Sequence, residues 1–271
     1  MAYDQDPILL PNCSMRPYKT KKQLKAGARF FLDQKINRSD LLIELPREIV
    51  KHATSALRLK KGALVSLFDG DGGEYLAKLV SVPDGEVRAE ILQFLDSEAD
   101  SKLRIALTQS ILSNEKMNLI IQKSTELGIA EINIFRAERS SIKVETDQLE
   151  KRKHHWHKVA IAACEQSGRT KLPTIKVYPS LTHLIETAPN ENAKQTGLIL
   201  SPSGSANLKD LDLKPCNINI AIGPEGGFSD EEITIAKSNG FIDVKLGPRT
   251  LRAETAGISM TAIAQALWGD F

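Results

Sequence analysis

The sequence predicts an α/β domain on a mainly parallel sheet with helices on both faces, preceded by a small, mostly β domain. The first observation is a strand–helix–strand rhythm that begins near residue 99 and runs to the end of the chain. The second is a run of short strands between Arg29 and Leu95, joined by Gly- and Asp-containing turns. The third is a set of three late strands that each empty into a Gly- or Pro-containing loop, the place where ligands sit in open parallel sheets.

In chain order, residues 1–28 read as a polar, Pro-containing extension ending in "KTKKQLKAG". "DLLIEL" is a loosely alternating strand, and "ALVSLFDGDGGEYLAKLVSV" reads as two strands around a Gly/Asp turn. "GEVRAEILQFL" supplies the next strand, and "DSEADS" is a polar linker. The boundaries are therefore 1–28 for the extension, 29–98 for the β domain and 99–271 for the α/β domain.

Beyond the linker, "KLRIALTQS" is a strand and "SNEKMNLIIQKSTELG" a helix with Ser113 as cap and Gly128 as stop. "IAEINIFRAERS", "PTIKVY", "TGLILSP", "NINIAIGP" and "FIDVKLGP" are strands. Between and after them lie the helices "DQLEKRKHHWHKVAIAACEQSGR", "SLTHLIETA", "SDEEITIAKSNG" and "ETAGISMTAIAQALW". The last is rich in small residues and, at roughly fifteen residues, too short to span a membrane.

Bulk properties exclude several classes. A composition of 41% hydrophobic and 26% charged residues supplies a full core, and no run approaches a membrane span. The start lacks a basic region followed by an apolar core, so no secretory signal is expected. Cys13, Cys164 and Cys216 form no CxxC pair, which fits free thiols in a reducing cytoplasm. Met15–Gly62 holds 13 Lys/Arg against 4 Asp/Glu, a local balance of +9 on a chain whose total is +2. Such a segment suits either a polyanion partner or a solvated face.

The loops narrow the chemistry further. "LILSPSGS", "IAIGPEGGFS" and "KLGPRTLRAETA" together can line one pocket with main-chain groups. None supplies the GxxxxGK[ST] of a P-loop or the GxGxxG of a dinucleotide fold, so Asp243 has no fingerprint to serve. Ser229 with Glu232 fits a capping box, and Asp230, Glu231 and Glu232 would repel a phosphate at that helix start. The pocket therefore suits a ligand without phosphate, and S-adenosylmethionine qualifies. Arg249, Arg252 and Glu254 concentrate polar chemistry in the last loop. "HHWH" puts His154 and His157 at helical spacing without further ligands, so no metal is expected. No GxSxG elbow is present for a hydrolase. In "EQSGR", Glu165, Gln166 and Arg169 serve either as substrate contacts or as a plain helix terminus.

"IAIGPEGGFSDEEI" followed by "LGPRTLRAETAG", with "QKSTELGI" and "EQSGR" upstream, closely resembles the RsmE family. These are 16S ribosomal RNA uridine N3-methyltransferases of the SPOUT superfamily. The resemblance runs from about Arg29 to the end, and "HATSALRLKKGALVSLFDGDGGEYLA" is similar to the family's PUA-like β-barrel. It implies a carboxyl-terminal trefoil knot, a homodimer, S-adenosylmethionine bound bent in the knot loops, and 16S rRNA of the small ribosomal subunit as substrate. The cofactor contacts it implies are Leu200, Ser201, Ile222, Gly223, Glu225, Gly226, Gly227, Leu246, Gly247 and Leu251, with Pro224 fixing the turn. Arg249 or Arg252 would stabilise the uridine anion, and Glu254 would accept its proton. Arg29, Arg58, Lys123, Arg139 and Arg169 are the expected RNA contacts. Residues 1–28 exceed the family's usual start, and Thr250 replaces a bulkier aliphatic. A knotted ribose 2′-O-methyltransferase and a non-enzymatic RNA-binding or assembly factor are the alternatives.

Overall fold

The computed structural model describes residues 26–81, 86–96, 100–142, 146–187 and 195–271. Most of the amino-terminal extension, Cys13 included, and the centre of the "DSEADS" linker lie outside these.

The first sheet has the order β1-β3-β4-β5-β2, from β1 (Arg29–Phe31), β2 (Leu42–Glu44), β3 (Leu64–Phe68), β4 (Glu74–Ser81) and β5 (Val87–Leu95). β3 and β4 form the expected hairpin, in register from Leu64↔Lys78 to Leu67↔Tyr75. Gly73 in its turn has φ +71, and a Cβ there would fall 2.4 Å from the Phe94 ring, so the turn needs glycine on both counts. Phe30, Ile43, Val65, Leu67, Ala77, Leu79 and Ala89 enclose a single core. The sequence reading omits one element here: α1 (Arg47–Lys51), which continues into a π-helical stretch at His52–Ala56. That segment buries only Ala53, so it presents no apolar stripe to read.

The second sheet is parallel throughout. Its order is β10-β12-β9-β11-β6-β7-β8. The strands are β6 (Arg104–Ser110), β7 (Glu131–Phe135), β8 (Thr174–Tyr178), β9 (Gln195–Leu200), β10 (Ala206–Asn207), β11 (Asn217–Ile222) and β12 (Phe241–Lys245). Between them run α2 (Asn114–Glu126), α3 (Thr146–Ser167), α4 (Leu181–Thr187) and α5 (Asp230–Ser238), and α6 (Ala253–Trp268) closes the chain. The period of two along each strand sorts the helices onto two faces. Ile132 and Ile134, Leu198, and Ile218, Ile220 and Ile222 pack with Met117 and Ile120 of α2, Trp156 of α3 and Met260 of α6. The intervening Phe135, Ile199 and Ala221 pack with Leu181 of α4 and Ala236 of α5.

Local signals act as the sequence implies, with one difference. Gly128 ends α2 at φ +84. Ser113 has the extended ψ of a cap, but its side chain makes no capping hydrogen bond. In "HHWH", Trp156 is fully buried while His154 and His157 are exposed, so the tryptophan alone faces the core.

"EQSGR" and the residues after it join the two sheets. Glu165 Oε1 accepts from the Phe31 amide at 3.0 Å, and Thr170 Oγ1 accepts from the Gly73 amide at 3.1 Å. Lys171 forms bridges to Gly70 and Asp71. Arg169 is 4% exposed. Its guanidinium donates to Asp100 Oδ1 at 2.9–3.0 Å and to the Thr125 and Ile129 carbonyls at 3.0 and 2.8 Å. The expectation that Arg169 contacts RNA is therefore corrected: its donors are spent inside the protein. Arg29 is corrected too: half-buried, it pairs with Glu74, donates to the Arg169 carbonyl at 3.0 Å and lies over the Phe68 ring, while its buried Nε has no partner among the described residues.

Arg169→Ala should strip a mostly buried carboxylate of its guanidinium and the Ile129 carbonyl of its arginine donor, costing about 3–5 kcal/mol in denaturant unfolding. A surface RNA contact would instead leave stability unchanged. Burial raises the pKa of Glu165, opposed by the Phe31 amide and by the His52 and Arg29 charges. The folded state then holds this proton more tightly than the unfolded chain, so the contribution is complete below the unfolded pKa, roughly 4.3, and is lost as pH rises through the folded one. Glu165→Gln keeps the acceptor without the charge. Its thermal stability relative to the parent should rise with pH across that window, measured by melting scans.

Candidate active site

β6, β7 and β8 extend the sheet in one direction, whereas β9 lies on the opposite side of β11. Such a reversal opens a crevice at the carboxyl ends of the strands. The loops after β9, β11 and β12 meet there around a cavity of about 590 Å³. Its lining includes all ten residues expected at the cofactor: Leu200, Ser201, Ile222, Gly223, Glu225, Gly226, Gly227, Leu246, Gly247 and Leu251. Arg249 and Arg252 are exposed at its wall. Glu254 is not part of that lining; it sits behind Ala253 in the first turn of α6.

The glycine turn is held from several sides. The Gly227 amide donates to the Pro224 carbonyl at 2.9 Å, with Gly227 at φ +71. Phe228 then anchors the chain, stacked on Phe135 in the core beneath α4 and α5. The capping box is present: Glu232 N donates to Ser229 Oγ at 3.1 Å and Ser229 N to Glu232 Oε2 at 2.9 Å. Glu232 Oε1 also accepts from the Glu138 amide at 3.1 Å, and Arg139 Nη1 donates to the Phe228 carbonyl at 2.9 Å. A Cβ at Gly223 would lie 3.1 Å from both the ring and the amide nitrogen of Phe228. Gly223 is thus needed by the turn itself, in addition to any ligand.

The loop after β9 is fixed to β12 by the Ser201 amide on the Val244 carbonyl at 3.0 Å. Gly204 passes so close that a Cβ would be 2.4 Å from the Val244 carbonyl carbon.

Polar groups gather on one side of the cavity. Glu225 Oε1 accepts from Lys116 Nζ at 2.7 Å, a bond that lowers the Glu225 pKa and raises that of Lys116. Glu254 is 8% exposed, and its Oε2 has no hydrogen-bond partner among the described residues. Lys116 escapes sequence reasoning, whereas the lining residues Pro202, Ser203, Phe228 and Ala256 lie in the three loops singled out there. The available signal is a lysine in the first turn of α2, against that helix's dipole. Of the expected RNA contacts, Arg139 lines the cavity, Arg58 is exposed at φ +53, and Lys123 pairs with Glu126 at 2.9 Å. Among the described residues no cluster of three or more His, Cys, Asp or Glu is placed to hold a metal, and no helix is long and apolar enough to cross a membrane.

A family model for the RNA methyltransferase domain matches residues 99–265, and one for the RNA methyltransferase PUA domain matches residues 45–92. The ribosomal RNA small subunit methyltransferase E of Buchnera aphidicola from Schizaphis graminum is 32% identical over 229 residues, 84% of this chain and 92% of that protein. The chain belongs to the RsmE family of RNA methyltransferases.

Two solved RsmE-like structures share its architecture. A putative methyltransferase from Legionella pneumophila, in complex with S-adenosylmethionine, is 35% identical with a TM-score of 0.82, covering 92% of this chain and all of that one. The ribosomal RNA small subunit methyltransferase E of Neisseria gonorrhoeae, bound to S-adenosylmethionine, is 34% identical with a TM-score of 0.81, covering 90% of this chain and 99% of that one.

Gly223→Val pushes a branched side chain against Phe228 and should cost about 1–3 kcal/mol of stability. Denaturant unfolding of the variant measures it, and an unchanged midpoint would mean that the turn relaxes freely.

Proposed function

We propose that this chain methylates N3 of a uridine in 16S ribosomal RNA, using S-adenosylmethionine. The observation that carries the reading is the convergence of three loops on one cavity, with two arginines at its wall and, beside it, a buried carboxylate whose Oε2 has no hydrogen-bond partner among the described residues. The residues fit the cofactor. The volume lies in the range of small-molecule sites, and the lining offers main-chain groups and apolar contacts from Leu200, Ile222, Leu246 and Leu251. The acidic first turn of α5 disfavours phosphate and tolerates a cationic sulfonium.

When bound, the cofactor supplies an electrophilic methyl group. The protein's own part begins with position: the three loops fix the direction from which N3 approaches, the dominant contribution in an in-line displacement. Glu254, just behind the cavity wall, accepts the N3 proton, directly or through water. Arg249 or Arg252 faces the negative charge that spreads onto the uracil oxygens.

The β domain, with boundaries at 29–98, the exposed Arg58 and Arg139, and the half-buried Lys123 hold RNA, giving a salt-dependent affinity. A homodimer is supported by the apolar surface that Leu119 of α2, Leu267 of α6 and Phe271 leave exposed. A trefoil knot is supported by β12 lying between β9 and β10. The substrate in this reading is the small ribosomal subunit, and the setting is the cytoplasm.

The test is methyl transfer from labelled S-adenosylmethionine to small subunits lacking the native methylation, followed by nucleoside mass spectrometry. We expect 3-methyluridine; methyl on ribose, or no transfer with cofactor binding intact, would overturn the assignment. Glu254→Gln should lower the single-turnover rate about a hundredfold or more while calorimetry finds cofactor affinity retained.

A further inference from the structure

The first turn of α2 carries a lysine where helix electrostatics disfavour one. Lys116 is the third residue of α2, at the end whose unpaired amides already present partial positive charge. Carboxylates from two other elements compensate: Glu225 Oε1 on the glycine turn at 2.7 Å, and Glu254 Oε2 on α6 at 3.8 Å. The two are unlike. Glu225 is exposed and fully engaged by the lysine, whereas Glu254 is buried and its Oε2 lacks any hydrogen bond among the described residues.

A buried acceptor without a donor is unusual enough to need a reason. The nearest identified cation stops about 1 Å beyond the roughly 2.7–2.9 Å of a charge-assisted hydrogen bond. Lysine has three donors on a flexible stem, so a small rotation lets one ammonium serve both carboxylates. Arg252, the residue before α6, opposes the lysine's charge from the cavity wall.

We propose that Lys116 is a positioning residue of the transfer site: bound to Glu225 it fixes the glycine turn, and by engaging Glu254 it aims Oε2 at the imide of the target uridine. This rests on the reading of the cavity given above. It assigns α2, an element outside the three site loops, a part in the reaction.

The experiment is a double-mutant cycle of Lys116→Met with Glu254→Gln, with Lys116→Arg as the conservative variant. Single-turnover rate at saturating cofactor, calorimetric cofactor affinity and melting temperature are read for each. Lys116→Met should lower the single-turnover rate about tenfold and weaken cofactor binding by a smaller factor, with Lys116→Arg recovering most of both. In the Glu254→Gln background the same change should cost no further rate. Equal rate losses in both backgrounds, or a loss that only tracks a lower melting temperature, would overturn the role, as would an unchanged rate. Absence of cofactor binding and product in the parent protein would overturn the cavity reading, and this role with it.

Discussion

The parallel alignment of β9, β11 and β12 is the constraint on which the site depends. Ile222 pairs with Leu200, and Val244 pairs with the same Leu200 from the other side. Three strands that end level with one another must release their loops into the same space. An antiparallel β11 would send the glycine turn to the far end of the sheet, and no choice of loop residues would repair that. The chemistry of the family is thus first a matter of strand direction and only then of side chains.

Around that constraint the segment from the end of α3 to Leu172 fastens the two halves of the chain together. The end of α3 and the residues after it bond to the first domain through Glu165, the Arg169 carbonyl, Thr170 and the Leu172 amide. Arg169 meanwhile ties Asp100, at the domain junction, to the carbonyls of Thr125, in the last turn of α2, and of Ile129 just beyond it. A charged residue so deeply buried is tolerable only when every donor is matched, and here the partners are main-chain oxygens with fixed positions.

Features set by near neighbours were legible in the sequence. The Ser229–Glu232 box spans three residues, and the hairpin between β3 and β4 is written in consecutive glycines and aspartates. The strand ends that line the cavity could be placed because each follows an apolar run. What escaped depends on distance along the chain. Lys116 and Glu225 are 109 residues apart, and Arg169 meets its carbonyl partners 40 and 44 residues away. An arginine in a polar segment reads as surface whenever its partners are that remote. The π-helical stretch escaped for a different reason, since it buries too little to impose a pattern.

The position of β12 has a bearing on the order in which the molecule is completed. It lies between β9 and β10, two strands that precede it and are separated from each other by only five residues. Until residues 241–245 are available, β9 has an open edge on that side and the loop after it lacks the Val244 carbonyl that secures Ser201. One wall of the cavity therefore comes from the last strand made. A chain still emerging from the ribosome holds the β domain and most of the sheet, yet has no complete pocket in which to hold a reactive methyl donor until its final thirty or so residues arrive.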